Sequence, residues 1–488
     1  MQLLGSNSSA DPQRSARKIV AVIGDVMIDR YVNGRINRIS PEAPVPVLVH
    51  SDDRATAGGA ANVAVNLAAL GCEVRLVGIV GTDSEAEDLK RILTHAGVST
   101  EWLVSDSDRP TISKTRVVSG RHQIIRIDNE TAGPTSTETE DRIIDAALSA
   151  MAEADVVAIS DYAKGVFGDN VLKQVIGAAK SAGKCVLVDP KRRTFDVYRG
   201  ADIIKPNSAE LSEATGLPCS SDDEIDVAAT ALKAQFEGAL LITRSEAGMS
   251  LLMPGQPVYH LPTSALEIAD VSGAGDTALA ALTMAIAEGR SIQEAAVWSN
   301  LAAGIAVGKS GTAVVSRTEL NKAIARAENR FQHPGSVESL AVAVEIVAGW
   351  KQAEERVVFT NGCFDLIHTG HIELLSSAAR EGDRLIVGLN SNASVKRLKG
   401  PSRPIQDEAD RARIIGALRV VDLVVIFDET TPVAVIEALS PDVLVKGADY
   451  AEDEVIGGDL VKARGGRVVL VPLIAGRSST KIVSRMQM

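Results

Sequence analysis

Cysteine is scarce in this chain, and no apolar run is long enough to cross a membrane. A single-pass helix needs ~18–20 consecutive apolar residues, and the sequence contains no such run. Residues 1–18 are polar and lack the apolar core of a signal peptide. The four cysteines are scattered, with no close pair of the kind that holds a metal: Cys72, Cys185, Cys219 and Cys363. We therefore expect reduced thiols in a soluble, cytoplasmic protein.

Positive charge and aromatic residues are also in short supply. The formal net charge is −12 and aromatics make up 3% of the chain. A protein that binds nucleic acid usually carries a basic face, and no segment here resembles one. A small anionic ligand needs only a local cluster of cations, so phosphates remain possible ligands. The composition excludes nucleic acid as an expected partner and leaves small phosphorylated molecules open.

Hydrophobic residues are abundant, and their distribution along the chain predicts an α/β protein. Hydrophobic residues make up 45% of the chain, and its 488 residues exceed the usual domain of about 100–200 residues. Short apolar runs alternate with helical patterns, which predicts parallel sheets covered by helices. Residues 111–128 instead alternate polar and apolar, as exposed antiparallel strands do. We predict a first domain over 1–335, a linker over 336–355 and a second domain over 356–488.

The most informative motif of the first domain is Asp270-Val-Ser-Gly-Ala-Gly-Asp276-Thr277. It lies between a predicted strand and a long predicted helix. Backbone N–H groups of Gly273, Ala274 and Gly275 at the start of that helix would bind an anion. Asp276, in the same turn, can accept a proton from an attacking hydroxyl. The alternative is a tight structural turn in which Asp276 only caps the helix.

Residues 19–318 resemble the ribokinase-like sugar kinases. The resemblance rests on the motif above, on Gly58-Gly59-Ala60-Ala61-Asn62 and on the element Asn207-Ser208-Ala209-Glu210. It implies a three-layer α/β domain with a small β lid, a general base at Asp276 and an anion hole at Gly273, Ala274 and Gly275. It also implies that Asn207, Ser208, Ala209 and Glu210 work near the ATP phosphates, and that the sugar is bound by Asp25, Asp29, Gly58, Gly59 and Asn62.

Several cations lie on the predicted lid strands: Lys114, Arg116, Arg121 and Arg126. Exposed edge strands often carry protective charges, and that is one reading of the cluster. The other is recognition of a phosphate group already present on the sugar. Lys164 and the run 191–193 are further candidates of the same kind. We favour phosphate recognition.

The second domain carries His368-Thr-Gly-His371 just after a predicted strand. Spacing of three residues puts both imidazoles on one helix face, and Gly370 leaves room for a ligand. Imidazoles in this position can donate hydrogen bonds to phosphate oxygens as charge develops. Zinc is the alternative, with Cys363 nearby in sequence, but it requires third and fourth ligands that the sequence does not supply. We expect no tightly bound structural metal.

Residues 357–482 resemble the cytidylyltransferase-like nucleotidyltransferases, through His368–His371 and a late serine/threonine motif at 477–480. The resemblance implies a Rossmann-like fold, with catalytic roles for His368 and His371. It also implies that the nucleotide is bound by Asn361, Gly362, Phe364, Asp365, Gly370, Lys396, Lys446, Arg477, Ser478, Ser479 and Thr480. Lys396 alternatively reads as an ordinary surface lysine.

The order of the two domains resembles a family of bifunctional enzymes that phosphorylate a heptose phosphate and then join it to a nucleotide. That resemblance implies ATP with Mg²⁺ at both sites, small-molecule substrates, and a homo-oligomer, a dimer, formed through the kinase domain. Two alternatives stay open. One is another sugar kinase fused to a cytidylyltransferase, and the other is a protein that senses nucleotides without turnover.

Overall fold

The structure is a computed structural model that describes residues 17–472, apart from 121, 132, 234, 264–269, 310–312, 333–335 and 448–453. Contacts between residues divide the chain into two compact units, with the division after Ile324. Each unit has its own sheet and its own apolar core. Two domains were expected from the length, and the observed division lies inside a helix rather than at 335.

The first unit is built on a sheet to which nine of the described strands belong, in the order β13-β12-β11-β10-β9-β8-β1-β4-β5. These strands are β1 (Ile19–Gly24), β4 (Glu73–Val80), β5 (Leu103–Ser105), β8 (Val156–Ser160), β9 (Cys185–Asp189), β10 (Ile203–Ile204), β11 (Ala239–Thr243), β12 (Met249–Leu252) and β13 (Tyr259–Leu261). All neighbours are parallel except β12, which runs antiparallel to β11 and β13. The predicted parallel sheet is confirmed.

Helices cover both faces of this sheet: α1 (Ala60–Ala69), α2 (Ser84–His95), α3 (Thr137–Met151), α4 (Asp169–Ser181), α5 (Ser208–Thr215), α6 (Asp222–Leu232), α7 (Ala274–Ala287), α8 (Ile292–Val307) and α9 (Arg317–Gln332). Side chains of a strand point alternately to opposite faces. Accordingly, Val20 and Val22 of β1 enter one apolar cluster and Ala21 and Ile23 enter the other. The expected three-layer α/β fold is confirmed.

A smaller sheet of four described strands forms the lid, in the order β3-β2-β6-β7. Its strands are β2 (Val26–Ile39), β3 (Pro46–Gly59), β6 (Ile112–Ser119) and β7 (His122–Asn129). β6 runs parallel to β2 and antiparallel to β7. The alternating pattern of residues 111–128 therefore identified the strand pair β6–β7 correctly.

The second unit has a parallel sheet in the order β14-β17-β16-β15-β18-β19 among its described residues. Its strands are β14 (Ser336–Glu338), β15 (Val357–Gly362), β16 (Arg384–Asn390), β17 (Leu423–Phe427), β18 (Val443–Gly447) and β19 (Arg467–Val471). Its helices are α10 (Leu340–Gln352), α11 (Thr369–Arg380), α12 (Asn392–Lys399), α13 (Glu408–Gly416), α14 (Val433–Leu439) and α15 (Gly458–Ala463). This is the expected Rossmann-like arrangement.

The segment 336–355 differs from the linker that the sequence suggested. β14 pairs in parallel with β17, and Ala343 and Val347 of α10 are buried in the core of the second unit. The segment is therefore an edge strand and a covering helix of the second unit. It read as a linker because a strand of three residues, following Pro334-Gly335, carries almost no periodic signal.

Across the described residues, the structure contains no helix that is both long and apolar enough to span a membrane.

Candidate active sites

The aspartate predicted as a base is held by two hydrogen bonds from distant parts of the chain. Asp276 is the third residue of α7, and its side chain is buried. Its Oδ2 accepts from Asn62 Nδ2 at 2.8 Å, and its Oδ1 accepts from the hydroxyl of Tyr162 at 2.8 Å. Asn62 is oriented in turn by Asn66, whose Nδ2 donates to Asn62 Oδ1 at 3.1 Å. The carboxylate is therefore fixed in one orientation.

The surroundings of Asp276 make its carboxylate more basic than usual. Burial raises its pKa, while the donors Asn62 and Tyr162 and the charge of Lys205 oppose the rise. A carboxylate that costs free energy to keep ionised takes up a proton more readily, which suits a general base. Its place in the first turn of α7 favours the ionised form, because the N-terminal end of a helix attracts negative charge.

The glycine turn before Asp276 has the predicted conformation. Gly273 is the N-cap of α7 and has a φ of 76°, a value that glycine adopts without strain. Gly275 follows in the first turn, where a side-chain carbon would lie 3.8 Å from Nζ of Lys205. The turn thus presents backbone beside a buried cation, which is a suitable environment for a phosphate group.

Lys205 was missed in the sequence reading. It is 3% exposed, and its Nζ lies 3.0 Å from Oδ2 of Asp189 at the end of β9. Burial raises the pKa of Asp189 to about 7, with Lys205 opposing the rise and the carboxylates of Glu210 and Asp276 adding to it. The two residues are 16 apart in sequence and belong to different strands and loops, so nothing local in the sequence links them.

Replacing Lys205 by Met should lower the free energy of unfolding of the first unit by ~3–5 kcal/mol, because Asp189 would stay buried without its cation. The loss should be smaller at pH 6 than at pH 8.5, since Asp189 escapes the penalty by taking up a proton below its raised pKa. Urea unfolding at the two pH values measures this. Lys180→Met is the matched control, because the Lys180–Asp202 pair is exposed and should contribute less than ~1 kcal/mol. Equal losses in both variants would contradict the argument.

The Asn207–Glu210 element is a capping box at the start of α5. Asn207 Oδ1 accepts from the backbone N–H of Glu210 at 2.8 Å, and Glu210 Oε2 accepts from the N–H of Asn207 at 2.9 Å. Oε1 of Glu210 is 2.9 Å from Nζ of Lys191. Ser208 and Ala209 form the first turn between them. The proposed role near the ATP phosphates stays a prediction, and the side chains have a structural role as well.

The two aspartates predicted to bind sugar occupy different environments. Asp25 is 0% exposed, and its carboxylate accepts from the backbone N–H groups of Tyr162, Lys164 and Val166 at 2.8, 3.1 and 3.2 Å. Asp29 lies on β2, where its Oδ1 accepts from Arg116 at 2.5 Å. Asp29 also acts electrostatically on Asp276. Asp29 is thus the better placed of the two to meet a sugar beside the base, and Asp25 has a structural role.

Gly58 and Gly59 are required by close packing where β3 enters α1. A side-chain carbon on Gly58 would lie 2.5 Å from Oδ2 of Asp29. Gly59 has a φ of 57°, and a side-chain carbon there would lie 2.5 Å from the carbonyl oxygen of Asp25. Both glycines therefore let the lid strand approach the residues around the base.

Strand register brings the lid cations to one face. Arg116 pairs across strands with Arg126, and Lys114 pairs with Asp29 on one side and Asp128 on the other. Arg126 donates to both oxygens of Asp128, at 2.8 and 3.0 Å. Arg121 lies outside the described residues. Lys164 pairs with Glu130, and Lys191 and the two arginines after it pair with carboxylates: Glu210, Asp161 and Glu213.

In the second unit, the two predicted histidines form a stacked pair. His368 is the N-cap of α11, and the centroids of its ring and that of His371 are 3.8 Å apart at an angle of 18°. His371 also meets the ring of Phe364 edge-on, at 5.0 Å. Phe364 is buried and has a φ of 44°, a strained value for a residue with a side chain. The strand-to-helix turn therefore holds the pair in place from one side.

The pKa of His371 is lowered to about 4, by burial first and then by the positive charges of His368 and Lys399. At neutral pH this imidazole is uncharged, so it has one N–H to donate. A bound triphosphate would bring negative charge, which would raise the pKa of His371 and so oppose the effect of the two cations. The site is therefore prepared for an anion.

The carboxyl ends of β15 and β18 carry the other predicted nucleotide ligands. Oδ1 of Asn361 is buried and accepts no hydrogen bond from the described residues, so it is available to a ligand. Nζ of Lys446 lies 3.4 Å from the carbonyl oxygen of Asn361. A side-chain carbon on Gly362 would lie 3.1 Å from the ring of Phe364. Gly370 is buried in the first turn of α11.

Asp365 holds a loop rather than facing an open site. Its Oδ1 accepts from the N–H groups of Ile405 and Gln406 at 2.7 and 3.2 Å, and its Oδ2 accepts from Arg403. The fully buried Arg411 strengthens the same corner by donating to backbone carbonyls of Cys363, Asn390 and Gln406 and to the side chain of Asn392. Sequence reading missed Arg411, because nothing in the pattern of α13 distinguishes it from a surface arginine.

Lys396, the predicted ligand, and Lys399 are both exposed on α12. Lys399 acts electrostatically on both His371 and Cys363, so it is a second candidate for a phosphate contact. The role of Lys396 stays a prediction. The motif Arg477, Ser478, Ser479 and Thr480 lies outside the described residues. Among the described residues, no group of three or more His, Cys, Asp and Glu side chains is arranged to hold a metal ion.

Comparison with known proteins agrees with this geometry. Residues 17–319 match the pfkB family of carbohydrate kinases, and residues 359–483 match the cytidylyltransferase-like family. The bifunctional protein HldE of Azorhizobium caulinodans is 55% identical over 96% of this chain and 98% of its own length. HldE of Gluconobacter oxydans is 50% identical over 96% of this chain and 97% of its own.

Solved structures show the fold of the first unit. Arabidopsis thaliana ribokinase complexed with ribose and ATP covers 63% of this chain and 99% of its own, with 24% identity and a TM-score of 0.52. Phosphofructokinase-2 from Escherichia coli in complex with potassium covers 64% and 99%, with 19% identity and a TM-score of 0.54. The chain is therefore a carbohydrate kinase joined to a nucleotidyltransferase. It belongs to the family of bifunctional HldE proteins.

Proposed function

We propose that the two units act in turn on one metabolite. The first unit phosphorylates O1 of D-glycero-β-D-manno-heptose 7-phosphate with ATP. After a separate phosphatase removes the 7-phosphate, the second unit joins heptose 1-phosphate to AMP from a second ATP and releases pyrophosphate. The product, ADP-heptose, supplies the lipopolysaccharide core. The observation that carries the proposal is the presence, in one chain that belongs to the HldE family, of the buried base Asp276 and the stacked pair His368 and His371.

In the first reaction, the O1 hydroxyl of the sugar attacks the γ-phosphorus of ATP, and the bond to the β,γ-bridging oxygen breaks. Asp276 accepts the hydroxyl proton, so the attacking oxygen becomes more nucleophilic as the bond forms. Backbone N–H groups at the start of α7 and the buried cation Lys205 stabilise the negative charge on the transferred group. Asn62 and Tyr162 hold the base in line with the hydroxyl.

Magnesium would enter the kinase site with ATP, and the donors there suit it. Mg²⁺ prefers carboxylate oxygens and phosphates. Asp189, Glu210 and Asp276 are close enough for the two others to raise the pKa of Asp189, a repulsion that a cation relieves. When bound, Mg²⁺ neutralises charge on the triphosphate. Asp189 and Glu210 are the residues that would hold it, directly or through water.

In the second reaction, a phosphate oxygen of heptose 1-phosphate attacks the α-phosphorus of ATP, and pyrophosphate leaves. His368 and His371 donate hydrogen bonds to the phosphate oxygens as negative charge grows there. Asn361, Lys399 and Lys446 surround the same end of the sheet and would orient the nucleotide. A hydrogen bond of this kind needs one N–H, which the neutral ring of His371 supplies.

An assay of both half-reactions tests the proposal. Purified protein is given ATP with heptose 7-phosphate while ADP is measured, and ATP with heptose 1-phosphate while pyrophosphate is measured. Both products should appear. Turnover with CTP in place of ATP in the second assay would favour the cytidylyltransferase alternative. Binding of ATP with neither product would favour a nucleotide sensor.

The lid should read the 7-phosphate of the kinase substrate. Arg116, Arg126 and Lys114 share one face of the lid with Asp29, which lies beside the base. Charge-assisted bonds to phosphate are worth ~1.5–3 kcal/mol each, or roughly 10- to 100-fold in kcat/KM. Heptose without the 7-phosphate should therefore be a much poorer substrate.

The residues responsible can be separated from surface charge in general. Arg126→Ala should raise KM for heptose 7-phosphate and leave the rate with unphosphorylated heptose nearly unchanged. Arg116→Ala should impair both sugars, because it also removes the partner of Asp29. Arg91→Ala on α2 is the matched control for Arg126→Ala, since that guanidinium is exposed and pairs with Asp88. Equal kcat/KM for the two sugars in the wild-type enzyme would show that the lid does not recognise the phosphate.

Assembly and location complete the proposal. Ribokinase-like relatives include a tetrameric form of phosphofructokinase-2 from Escherichia coli, and we propose a homo-oligomer, a dimer, that pairs through the kinase unit. We place the protein in the cytoplasm, where ATP and sugar phosphates are found. Sedimentation of the full chain tests the first statement and cell fractionation tests the second.

A further inference from the structure

The segment 161–166 crosses the end of β8 beside the kinase base, and it is fastened on two sides. Arg109 donates to the carbonyl oxygens of Lys164 at 3.1 Å, Thr131 at 2.6 Å and Gly133 at 3.0 Å. Gly165 has a φ of 107°, and a side-chain carbon there would lie 2.6 Å from Arg109. The segment has no room to shift toward Arg109, so its conformation is closely determined.

On its other side, the segment is held by Asp25. This carboxylate is fully buried at the end of β1, and it accepts three backbone hydrogen bonds from residues 162, 164 and 166. Three backbone donors satisfy most of its four acceptor positions. Little of Asp25 is left for a sugar hydroxyl, so its main partner is the segment itself.

Tyr162 extends from this segment to the base. Its hydroxyl donates to Oδ1 of Asp276 at 2.8 Å, while Asn62 takes Oδ2. Burial, together with the charge of Asp276, raises the pKa of Tyr162 well above its ordinary value, so the hydroxyl keeps the proton that it donates to the carboxylate. Each carboxylate oxygen accepts about two hydrogen bonds, so Oδ1 keeps one position for the substrate hydroxyl.

We propose that Tyr162 is a positioning residue for sugar phosphorylation: its hydroxyl orients the Asp276 carboxylate and favours its ionised form, and Asp25 holds Tyr162 in place through the backbone of residues 161–166. The inference rests on the proposed kinase function of the first unit. It gives Asp25 a role different from the sugar contact that the sequence suggested. It also accounts for the position of a fully buried carboxylate whose hydrogen bonds, among the described residues, come from backbone N–H groups.

Tyr162→Phe tests the proposal through the pH dependence of kcat for the kinase. Losing a donor destabilises the ionised carboxylate, so the pKa of Asp276 rises and the acidic limb of the profile moves to higher pH. A bond to a charged group corresponds to a shift of roughly one pH unit. At a pH on the acidic limb of the wild-type profile, kcat of Tyr162→Phe should therefore be roughly tenfold lower than kcat of the wild type. At alkaline pH the difference between the two enzymes should largely disappear.

The Tyr162→Phe variant keeps the other ionisable side chains near Asp276. Lys205 and Asp29 influence the pKa of Asp276, and Asp276 influences the pKa of Asp189. Tyr259→Phe is the control, because that tyrosine is exposed on the edge strand β13. The acidic limb of its pH profile should stay in place. Circular dichroism of each preparation reports that the protein is folded.

A profile of Tyr162→Phe that has the wild-type shape at a uniformly lower rate would overturn the proposal, and so would an equal shift in Tyr259→Phe. Asp25→Asn should move the limb in the same direction as Tyr162→Phe. If it instead raises KM for the sugar and leaves the limb in place, Asp25 is a sugar ligand and the chain of contacts is wrong. Wild-type protein that phosphorylates no heptose would refute the proposed function itself, which is a separate outcome.

Discussion

Asp276→Asn should lower sugar phosphorylation at least ~100-fold, the scale on which loss of a general base is felt. The amide keeps the shape of the carboxylate and its contact with Tyr162, whose hydroxyl donates to Oδ1. It cannot take up the proton of the O1 hydroxyl. Adenylyl transfer from heptose 1-phosphate should continue at the wild-type rate, because the histidine site lies in a separate unit with its own core. Release of ADP and of pyrophosphate, followed in parallel, measures both.

The reciprocal variant makes the comparison sharper. His371→Ala should abolish most adenylyl transfer and leave phosphorylation intact, so the two variants together assign each activity to its own site. A fall of both activities in folded Asp276→Asn protein would show that the two sites are not independent. An unchanged rate of phosphorylation would remove Asp276 from the role of base.

Either histidine replaced by Ala should lower kcat for adenylyl transfer by about 100- to 1,000-fold, the usual cost of one donor to a developing oxyanion. KM for ATP should rise much less, because the bonds strengthen mainly in the transition state. The stacked rings make the two effects interdependent, since removal of one imidazole also removes packing from the other. The double variant should therefore lose less than the product of the single losses.

Zinc binding makes a different prediction for the same residues. Stoichiometric zinc in the purified full-length protein, lost in His368→Ala, would replace the assignment of the histidines as phosphate donors. Metal-free protein with Mg²⁺-dependent turnover would support it. His95→Ala, at an exposed position ending α2, controls for histidine substitution as such and should change neither metal content nor rate.

The sequence was sufficient for the fold because the strands are short apolar runs separated by helical patterns. The apolar runs at 185–189, 203–204 and 239–243, for example, form β9, β10 and β11. Motifs also singled out the two groups around which we propose the sites are built, Asp276 and the histidine pair, since glycine turns and spaced histidines are local features.

Contacts between distant residues were beyond the reach of that reading. Tyr162 meets Asp276 from 114 residues away, and Asn62 meets it from 214. The backbone bonds that Asp25 accepts from residues 162, 164 and 166 could not be foreseen, because a carboxylate after a strand looks the same whether it faces a ligand or a backbone segment. The effect of Lys399 on His371 also depends on the placement of α12, which the sequence does not give.

The place of β14 and α10 in the second unit decides where the two enzymes can be cut apart. A fragment starting at Arg356 would leave β17 as a bare edge, with an open row of backbone N–H and C=O groups. It would also expose the apolar side chains against which Ala343, Val347 and Trp350 pack. The exposed edge of β17 would pair with strands of other molecules, so such a fragment would be prone to aggregate. A separately produced adenylyltransferase, or a gene fission that yields one, has to begin upstream of Ser336.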